Sequence, residues 1–511
     1  MASTTKSFTL SGIEGHVVDV ETDVLSGLPS ISIVGLGDKA VKEAKESLEA
    51  AIVHSNFIFP QQKIVFNLAP SVMKKTGTHY DLAMAVGLLI RTDQINTPCI
   101  TDTGFIGELS LNASIRPVSG ILPMVIKAKE SNIKKIIVAK ENVDEAKIVK
   151  GLEIFGCSTL NEAVDLLEER PFPFSNVYSF YRSKNKEPSY LDFSEVKGHE
   201  RLLEYITIAV AGGHNILLIG PPGCGKSMIA KRIPTILPKM TEEEALEVMR
   251  IYSVANLLKS PGQLITERPF RSLHHNASTN ALIGGGTYAL PGEISLAHHG
   301  VLFLDEIAEF TKKSLDSMRQ PLEDGSVTIS RVWGTHTYPA SFTLVGAMNP
   351  CPCGYFGQKY CRCTDYEIVS YRKKISGPIL DRMDIQKYVG VVDFFNKQQH
   401  GKSSYDLRQD IERARFIQIN RYKDLPGITS NSQLPASLLE EFCPLDGESQ
   451  KLLLKAAEHF EYSGRTIHKY IKIARTIADL EGEPNIKCSH MKKSLLSRDL
   501  EKDTFAFQNR G

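Results

Sequence analysis

Apolar and polar residues alternate along this chain with a period that changes from one region to the next. Within residues 1–168, β-branched runs at 31–34 and 63–66 predict strands, whereas the apolar positions of residues 39–52 recur at helical spacing. Residues 169–192 contain several prolines among many polar side chains, which is typical of a linker. The pattern therefore predicts a domain of mixed helices and strands, followed by a linker.

Strands alternate with helices from residue 193 to 395, and this order favours a parallel sheet with crossover helices. The strand signals then fade, and much of residues 411–480 has helical periodicity. We therefore expect an α/β core over residues 193–395, a C-terminal helical domain over 396–500 and a tail over 501–511.

The composition is that of an ordinary globular protein. The 511 residues include 60 Lys and Arg against 59 Asp and Glu, so any contact with nucleic acid has to come from local basic patches. The N-terminus has no secretory signal pattern, and the apolar runs are shorter than the roughly 20 residues of a membrane helix. Four of the nine cysteines lie in one short segment, which suits a metal site in a reducing compartment. We expect a cytoplasmic protein that does not enter membranes.

A short apolar run at residues 216–219 leads directly into the glycine-rich segment G-P-P-G-C-G-K-S. Its eight residues are Gly220, Pro221, Pro222, Gly223, Cys224, Gly225, Lys226 and Ser227. Glycines allow backbone N–H groups to wrap closely round phosphates, and a helix is expected to follow. Lys226 would then reach the β- and γ-phosphates, and Ser227 would ligate Mg²⁺. The segment predicts a P-loop that binds ATP and Mg²⁺ rather than a plain glycine-rich turn.

A second apolar run, at residues 301–304, ends in Asp305 and Glu306. Four consecutive apolar residues fit a strand that is buried on both faces, with the two carboxylates at its C-terminal end. Behind a P-loop, Asp305 would hold Mg²⁺ through its water shell, and Glu306 would act as the general base on the attacking water. Without a P-loop, the same run would be read as structural.

These two motifs and several other segments resemble the magnesium-chelatase-related AAA+ ATPases and, within them, the ComM/YifB family. The further matches are residues 212–215, 268–271, 284–286, 291–298 and 321–325. The resemblance covers nearly the whole chain. It implies an α/β AAA+ P-loop domain with a parallel sheet and a C-terminal helical lid, preceded by an α+β Lon-protease-like domain of the S5-domain-2 type.

Three polar residues receive roles from this resemblance alone. Asn349 matches the sensor-1 residue, which contacts the γ-phosphate or the attacking water. Arg382 matches the arginine finger that reaches the site of a neighbouring subunit, and Arg465 matches the sensor-2 arginine of the lid. A finger that acts on a neighbour implies an oligomer, and rings of six are usual for this class.

The Lon-like N-terminal domain is not expected to cleave peptides. A Lon-type site needs a serine nucleophile and a lysine that assists its deprotonation. In the alignment that the resemblance implies, the serine position falls on His79 and the lysine position on Leu122. Because neither residue can replace the dyad, we expect this domain to serve in assembly or in contact with a partner.

The crowded cysteines form two C-x-C pairs that are separated by seven residues. They are Cys351, Cys353, Cys361 and Cys363. Four thiolates at this spacing can close a tetrahedral, structural Zn²⁺ site, and the alternative is four free cysteines in a loop. By contrast, the pairs His274-His275 and His298-His299 match no usual zinc spacing and remain unassigned.

Residues 325–338 have the alternation of a β-hairpin, and the resemblance places such a hairpin in the pore of the ring. Arg331 and Trp333 lie near its tip, where a cation and an aromatic ring suit phosphate contact and base stacking. The alternative is an ordinary exposed hairpin. Arg268 and Arg271 are further candidates for contact with DNA.

The family resemblance points first to a motor of the helicase or branch-migration type that acts on single-stranded or branched DNA. Its role would lie in recombination or natural transformation. The alternatives are a magnesium-chelatase-like motor subunit and a general AAA+ remodelling or assembly factor. DNA-stimulated ATP hydrolysis would indicate the first class, and a requirement for a porphyrin-binding partner would indicate the second.

Overall fold

The computed structural model describes residues 2–71, 73–75, 77–97, 100–170, 191–258, 262–286, 289–331, 334–391 and 401–508. The chain folds as two compact units. Unit 1 comprises Met1–Asn185, Ala245–Ile265 and His336–Tyr338, and unit 2 comprises Lys186–Glu244, Thr266–Thr335 and Pro339–Gly511. Most of the predicted linker, residues 171–190, lies outside the described residues.

Unit 1 is built around one mixed sheet. The strands of unit 1 are β1 (Ser3–Ser11), β2 (Glu14–Leu25), β3 (Ser30–Val34), β4 (Lys63–Ala69), β5 (Thr103–Ile106), β6 (Glu108–Leu109), β7 (Ile115–Arg116), β8 (Lys135–Ala139) and β9 (Glu153–Cys157), of which β6 and β7 pair with each other in a separate two-stranded sheet. The helices between them are α1 (Lys39–His54), α2 (Asp81–Arg91), α3 (Ile121–Glu130), α4 (Val143–Ala146) and α5 (Leu160–Leu167). Seven strands pair in the order β3-β4-β2-β1-β5-β8-β9, with β1, β2 and β4 antiparallel and the other neighbours parallel. This is the expected α+β class.

Local chemistry explains why the predicted elements of unit 1 form. The two predicted strands are β3 and β4, and the predicted helix is α1. The carboxylate of Asp38 caps α1 by accepting the N–H of Val41 at 2.9 Å, which satisfies one of the free donors at the helix start. Helix α2 is almost wholly buried, in agreement with its apolar sequence.

The chain after residue 190 contains the second sheet and most of the helices. Its strands are β10 (Ile216–Ile219), β11 (Phe270–Leu273), β12 (Gly284–Gly285), β13 (Leu290–Pro291), β14 (Val301–Leu304), β15 (Ser326–Arg331), β16 (Gly334–Pro339), β17 (Thr343–Met348) and β18 (Ile385–Tyr388). Its helices are α6 (Glu200–Gly212), α7 (Lys226–Arg232), α8 (Glu242–Val254), α9 (Thr279–Ile283), α10 (Glu293–Leu296), α11 (Lys312–Ser317), α12 (Arg319–Asp324), α13 (Asp365–Arg372), α14 (Gly377–Leu380), α15 (Ser404–Arg421), α16 (Leu439–Phe442), α17 (Gly447–Phe460), α18 (Gly464–Leu480), α19 (Cys488–Leu495) and α20 (Asp499–Gln508).

The sheet of unit 2 has five strands in the order β11-β14-β17-β10-β18, and every neighbouring pair is parallel. Strands β10 and β14 are buried along their whole length, as their continuous apolar sequences predict. Because all five strands run in the same direction, their C-terminal ends meet at one edge of the sheet. The parallel sheet expected for the AAA+ class is therefore confirmed.

The C-terminal part of unit 2 is helical, as predicted. Helices α15, α17 and α18 contain the stretches with helical periodicity, and a separate apolar cluster that includes Tyr422, Leu453 and Tyr470 packs them together. Helix α20 runs from Asp499 to Gln508, across the boundary between the expected helical domain and the expected tail. Its start is fixed by an ion pair between Asp499 and Lys387 at 2.8 Å. None of the helices that the structure describes combines the length and apolar character needed to cross a bilayer.

Candidate active site

Three neighbouring strands of the unit 2 sheet place the predicted catalytic residues at one edge. The P-loop follows β10, Asp305 and Glu306 follow β14, and Asn349 follows β17, which lies between the other two strands. A ligand at this edge would therefore contact all three strand ends, as is usual for parallel α/β sheets.

Hydrogen bonds already connect these strand ends. Lys226 donates from Nζ to the carbonyl oxygens of Gly220 at 2.6 Å and Pro221 at 3.0 Å, and to Oδ1 of Asn349 at 3.3 Å. The hydroxyl of Ser227 donates to Oδ2 of Asp305 at 2.8 Å. The sequence-predicted cation, hydroxyl and carboxylate therefore lie within direct reach of one another.

The backbone of the P-loop leaves room for phosphate. Gly223 has a φ of +78°, and a Cβ added there would meet no atom within 4 Å. A left-handed glycine of this kind lets the main chain turn so that its N–H groups can face phosphate oxygens. Because Ser227 and Asp305 add two oxygen ligands of the kind that Mg²⁺ prefers, the site fits a Mg²⁺-nucleotide. Cys224 is buried in the loop, as a small filling residue would be.

Glu306 has a partner that the sequence did not suggest. Its backbone is left-handed, with φ 51° and ψ 47°, and its Oε2 lies 3.0 Å from Nδ1 of His275. His275 follows β11, the neighbour of β14, so parallel pairing brings the two residues to the same edge. The unassigned pair His274-His275 follows directly after a strand, and that was the one signal by which the contact could have been found.

The two predicted arginines of the ring lie away from the P-loop contacts. Arg382 forms an ion pair with Glu323 of the same chain, and Arg465 is exposed in the first turn of α18. Within the described part of the chain, neither arginine has a hydrogen bond or an ion pair with a P-loop residue. Their geometry in a single chain therefore leaves both assignments as predictions.

A buried polar network connects the strand of the P-loop with helix α18. Asp384 lies 3.4 Å from Nδ1 of His214 and 3.6 Å from Nζ of Lys469, and Nε2 of His214 lies 2.9 Å from the hydroxyl of Thr476. Burial opposes the charge of Asp384, but the hydrogen bond of His214 and the cation of Lys469 outweigh it and hold the pKa of Asp384 below its usual range. Burial lowers the pKa of Lys469 to about 8.

The four cysteines form one cluster directly after Asn349, with all four sulfurs within 4.8 Å of one another. The Sγ atom of Cys351 lies 3.4 Å from that of Cys353 and 3.9 Å from that of Cys361, and the Cys353–Cys361 distance is 3.7 Å. These separations are too long for disulfide bonds. A tetrahedron with Zn–S bonds of about 2.3 Å has sulfur edges of about 3.8 Å, so the cluster fits one Zn²⁺.

Backbone donors surround the cluster as well. The N–H of Tyr355 contacts the sulfur of Cys353 and is the main reason that the pKa of this thiol falls to about 6, while burial raises the pKa of Cys351 to about 12. The N–H of Phe356 contacts Cys351. Donors aimed at sulfur favour the thiolate form, which is the form that binds metal.

The predicted hairpin is formed by β15 and β16, which make a two-stranded sheet. Arg331 ends β15 with an exposed side chain, and its Nη2 lies 2.7 Å from the position that a Cβ on Gly285 would take. Trp333 lies outside the described residues, so its predicted place at the tip stays a prediction.

The two further arginine candidates are engaged inside unit 2. Arg268 donates from Nη2 to Glu244, from Nε to the carbonyl oxygen of Pro238 and from Nη1 to that of His299, each at 2.8 Å. Arg271 forms a two-pronged ion pair with Glu293. Contact with DNA would require these pairs to break, so Arg331 is the better candidate of the three.

The two positions that the Lon resemblance assigns to the protease dyad, His79 and Leu122, are buried in unit 1. His79 is 8% exposed, and burial lowers its pKa to about 4, so its imidazole is neutral at pH 7. Leu122 is fully buried in the apolar cluster around α3. Asp81 is also buried, and burial raises the pKa of its carboxyl well above the usual value. This geometry is that of a packed core.

Three family models match the chain in succession. Subunit ChlI of Mg-chelatase matches residues 20–142, magnesium chelatase subunit ChlI matches 192–396, and the C-terminal part of that subunit matches 401–498. The competence protein ComM of Haemophilus influenzae is 37% identical over 494 residues, which cover 95% of each chain. The protein YifB of Escherichia coli is 37% identical over 501 residues, which cover 96% of each chain.

The chain belongs to the ComM/YifB family. This family is a magnesium-chelatase-related group of AAA+ ATPases, so the sequence-based assignment of family and fold is confirmed. The Lon protease of Karelsulcia muelleri is 30% identical over 172 residues, which cover 30% of this chain and 19% of that protein. The Lon-like character of the N-terminal region in this ComM/YifB member is thus supported by comparison.

Proposed function

We propose that this ComM/YifB protein is an ATP-driven DNA motor of the helicase or branch-migration type, which works as a homo-hexamer in recombination or natural transformation. The observation that carries the proposal is the convergence of P-loop, carboxylates and Asn349 at one sheet edge. The similarity to a protein named for competence supports DNA as the partner.

The residues of the sheet edge have distinct roles in the proposed reaction. Lys226 moves from the loop carbonyls to the β- and γ-phosphates, where it neutralises charge that develops during transfer. Ser227 and Asp305 hold Mg²⁺, which supplies charge stabilisation at the phosphate oxygens when bound. Glu306 accepts a proton from the attacking water, and Asn349 orients that water or the γ-phosphate. Arg382 completes the site of the next subunit, and Arg465 contacts the nucleotide from the lid.

Arg331 gives the motor its contact with DNA in this proposal. It is an exposed cation at the end of β15, next to the hairpin turn, and the formal charge of the chain is only +1. A local cation at the end of a hairpin strand suits phosphate contact without a basic surface over the whole protein. Trp333 would add stacking on a base.

We also propose that one structural Zn²⁺ is held by Cys351, Cys353, Cys361 and Cys363. The support is the compact arrangement of the four sulfurs and the backbone donors aimed at two of them. A site with four protein ligands has no open position for substrate, so the metal has no catalytic role. Metal analysis of the purified protein should give one zinc per chain.

The deciding experiment measures steady-state ATP hydrolysis with and without single-stranded and four-way-junction DNA. We expect DNA to stimulate ATP hydrolysis and Glu306→Gln to abolish hydrolysis with and without DNA. Arg331→Ala should reduce the stimulation by DNA while basal hydrolysis stays unchanged. Thr328→Ala, an exposed substitution on the same strand, is the matched control. Hydrolysis that is indifferent to every DNA tested would reject the motor and favour the chelatase-like or remodelling alternatives.

Mixing experiments test the shared site. Subunits with Arg382→Ala and subunits with Lys226→Ala should each be inactive, because one lacks the finger and the other lacks the P-loop lysine. Mixed rings should regain part of the activity, since some interfaces then combine an intact P-loop with an intact finger. Absence of recovery in mixed rings of confirmed size would argue against a finger that acts on a neighbour.

A further inference from the structure

The loop that carries the four cysteines also packs against the P-loop. Gly354 lies one residue after Cys353 and has a φ of +83°. A Cβ added to Gly354 would lie 2.6 Å from Cδ and 3.0 Å from Cγ of Pro222, and 4.0 Å from Cγ of Asn349. The backbone of the cysteine loop therefore touches the nucleotide loop and lies near the predicted sensor residue.

The rest of the cysteine loop holds this contact in place. Gly354 donates its N–H to the carbonyl oxygen of Cys351 at 3.0 Å. This bond closes a tight turn from Cys351 to Gly354 that contains two of the four cysteines. Arg372, which is 6% exposed, places its guanidinium 5.0 Å from the centre of the Phe356 ring and donates to the carbonyl oxygen of Pro350 at 3.3 Å. The two ends of the turn are thus fixed to the body of unit 2.

Pro222, which receives this contact, lies next to a residue that hydrogen-bonds the P-loop lysine. Pro222 follows Pro221, whose carbonyl oxygen accepts from Lys226 at 3.0 Å. The Pro222 ring is rigid, so a shift of Gly354 is passed to the P-loop backbone rather than absorbed by a flexible side chain. A displacement of this segment would move the main-chain groups that are open to phosphate.

We propose that the four-cysteine centre is a metal-closed brace that holds the P-loop in its nucleotide-binding shape through the contact of Gly354 with Pro222. The proposal rests on the zinc proposed above and not on the DNA partner. Metal binding would keep Cys351 and Cys353 fixed, and with them the turn that ends at Gly354. Loss of the metal would release the turn, because a glycine-containing loop without regular structure gains conformational entropy when freed. Nucleotide affinity would then fall.

Two glycines of the same loop provide a matched test. Gly354 and Gly357 both have a left-handed backbone, with φ of +83° and +82°, but a Cβ on Gly357 would meet no atom within 4 Å. Gly354→Ala and Gly357→Ala therefore share the same backbone strain, and only the first pushes against Pro222. The full chain is used, and the probe is Mg²⁺-ADP, with binding measured by calorimetry and zinc by metal analysis.

We expect both variants to retain one zinc per chain. Gly354→Ala should weaken binding of Mg²⁺-ADP by about tenfold or more, and Gly357→Ala by less than about twofold. The double variant Gly354→Ala with Pro222→Ala should bind more tightly than Gly354→Ala alone, because the ring that meets the new methyl group is gone. This rescue separates a local push from a general loss of folding.

A Cys353→Ser and Cys361→Ser variant tests the metal itself. It should lose zinc and bind Mg²⁺-ADP at least about tenfold more weakly, while Cys488→Ser, outside the cluster, changes neither property. Equal binding by Gly354→Ala and Gly357→Ala would overturn the brace even if zinc is present. Absence of zinc from the wild-type protein would overturn the zinc proposal and the brace together. Missing DNA stimulation with intact ADP binding would reject only the DNA motor.

Discussion

The sheet edge of unit 2 and the His79–Asp81 turn of unit 1 each contain an imidazole and a carboxylate, but the two pairs differ in their exposure to solvent. At the sheet edge, Glu306 is 55% exposed and His275 is 37% exposed, and the two lie in contact. In unit 1, His79 and Asp81 are 8% and 1% exposed. Burial lowers the pKa of His79 and raises the pKa of Asp81, so that each side chain favours its neutral form.

This difference in exposure distinguishes the proposed active site at the sheet edge from the packed core of unit 1. An imidazole or carboxylate titrates in its ordinary pH range only if solvent or an opposite charge stabilises its ionised form. The sheet edge meets this condition because parallel strands end together at an open face. The turn in unit 1 does not, because its side chains are buried and Tyr80 packs in the apolar cluster that includes helix α2.

The largest effect is expected at Glu306, the proposed general base. Glu306→Gln keeps the shape of the side chain but removes proton acceptance, so hydrolysis should fall by about 1000-fold. Binding of Mg²⁺-ATP should stay within about twofold of wild type, because the P-loop is untouched. Single-turnover hydrolysis and equilibrium binding measure the two quantities. A loss of less than about tenfold would show that another group accepts the proton.

The reverse substitution in unit 1 should not create a protease. His79→Ser with Leu122→Lys restores the two residue types of the dyad, but the lysine would enter a fully buried apolar position. We expect a loss of more than about 3 kcal/mol in the free energy of unfolding and no peptide cleavage. Urea denaturation and a casein assay measure the outcomes. Leu122→Met, which conserves volume, should cost less than about 1.5 kcal/mol; peptide cleavage by the double variant would contradict the closed site.

The carboxyls of Asp384 and Asp81 should respond to pH in opposite ways. The pKa of Asp384 is lowered, so its stabilising effect is present above the unfolded pKa of about 3.9 and is lost as pH falls through the folded value. Asp384→Asn should therefore cost about 2 kcal/mol at pH 7, because His214 and Lys469 lose their partner, and less near pH 3. The pKa of Asp81 is raised, so its contribution is lost as pH rises.

Asp81→Asn is accordingly expected to be neutral or stabilising at pH 7 relative to wild type. Urea midpoints of both variants at pH 3, 5 and 7 supply the comparison. An equal loss of unfolding free energy at pH 7 for Asp384→Asn and Asp81→Asn would contradict the different surroundings of the two carboxyls in the structure.

The smallest effect is expected at His275. His275→Ala removes the group that lies 3.0 Å from Glu306, so the carboxylate loses orientation and hydrolysis should slow by about fivefold. His274→Ala is the control, because His274 is exposed and precedes the contact. The readout is kcat for ATP together with its pH profile between 5.5 and 8. Equal rates for the two variants would exclude a positioning role for His275.

The sequence predicted those parts of the site whose local pattern also encodes their chemistry. A glycine-rich loop between a strand and a helix, and an apolar strand that ends in two acids, each specify shape and reactivity together. Parallel pairing then brings Asn349 beside Lys226. The two C-x-C pairs likewise predicted a cluster, because four thiols so near in sequence have few other ways to pack.

What the sequence did not reveal depends on partners that are distant along the chain. The contact of His275 with Glu306 arises because β11 and β14 pair in parallel, and neither residue has a spacing that marks it. The ion pairs of Arg268 with Glu244 and Arg271 with Glu293 also escaped prediction. A basic residue in a loop has the same appearance in sequence whether it faces solvent or an internal acid.

The left-handed backbone of Glu306 limits which residues can replace it without strain. Glutamate adopts φ 51° and ψ 47° only with strain, and β-branched residues adopt it at a still greater cost. Asparagine, aspartate and glycine fit the turn most easily but place no carboxylate at the reach of glutamate. Replacement of Glu306 by one of these residues would therefore relax the backbone and at the same time remove the carboxylate that the proposed reaction uses as its general base.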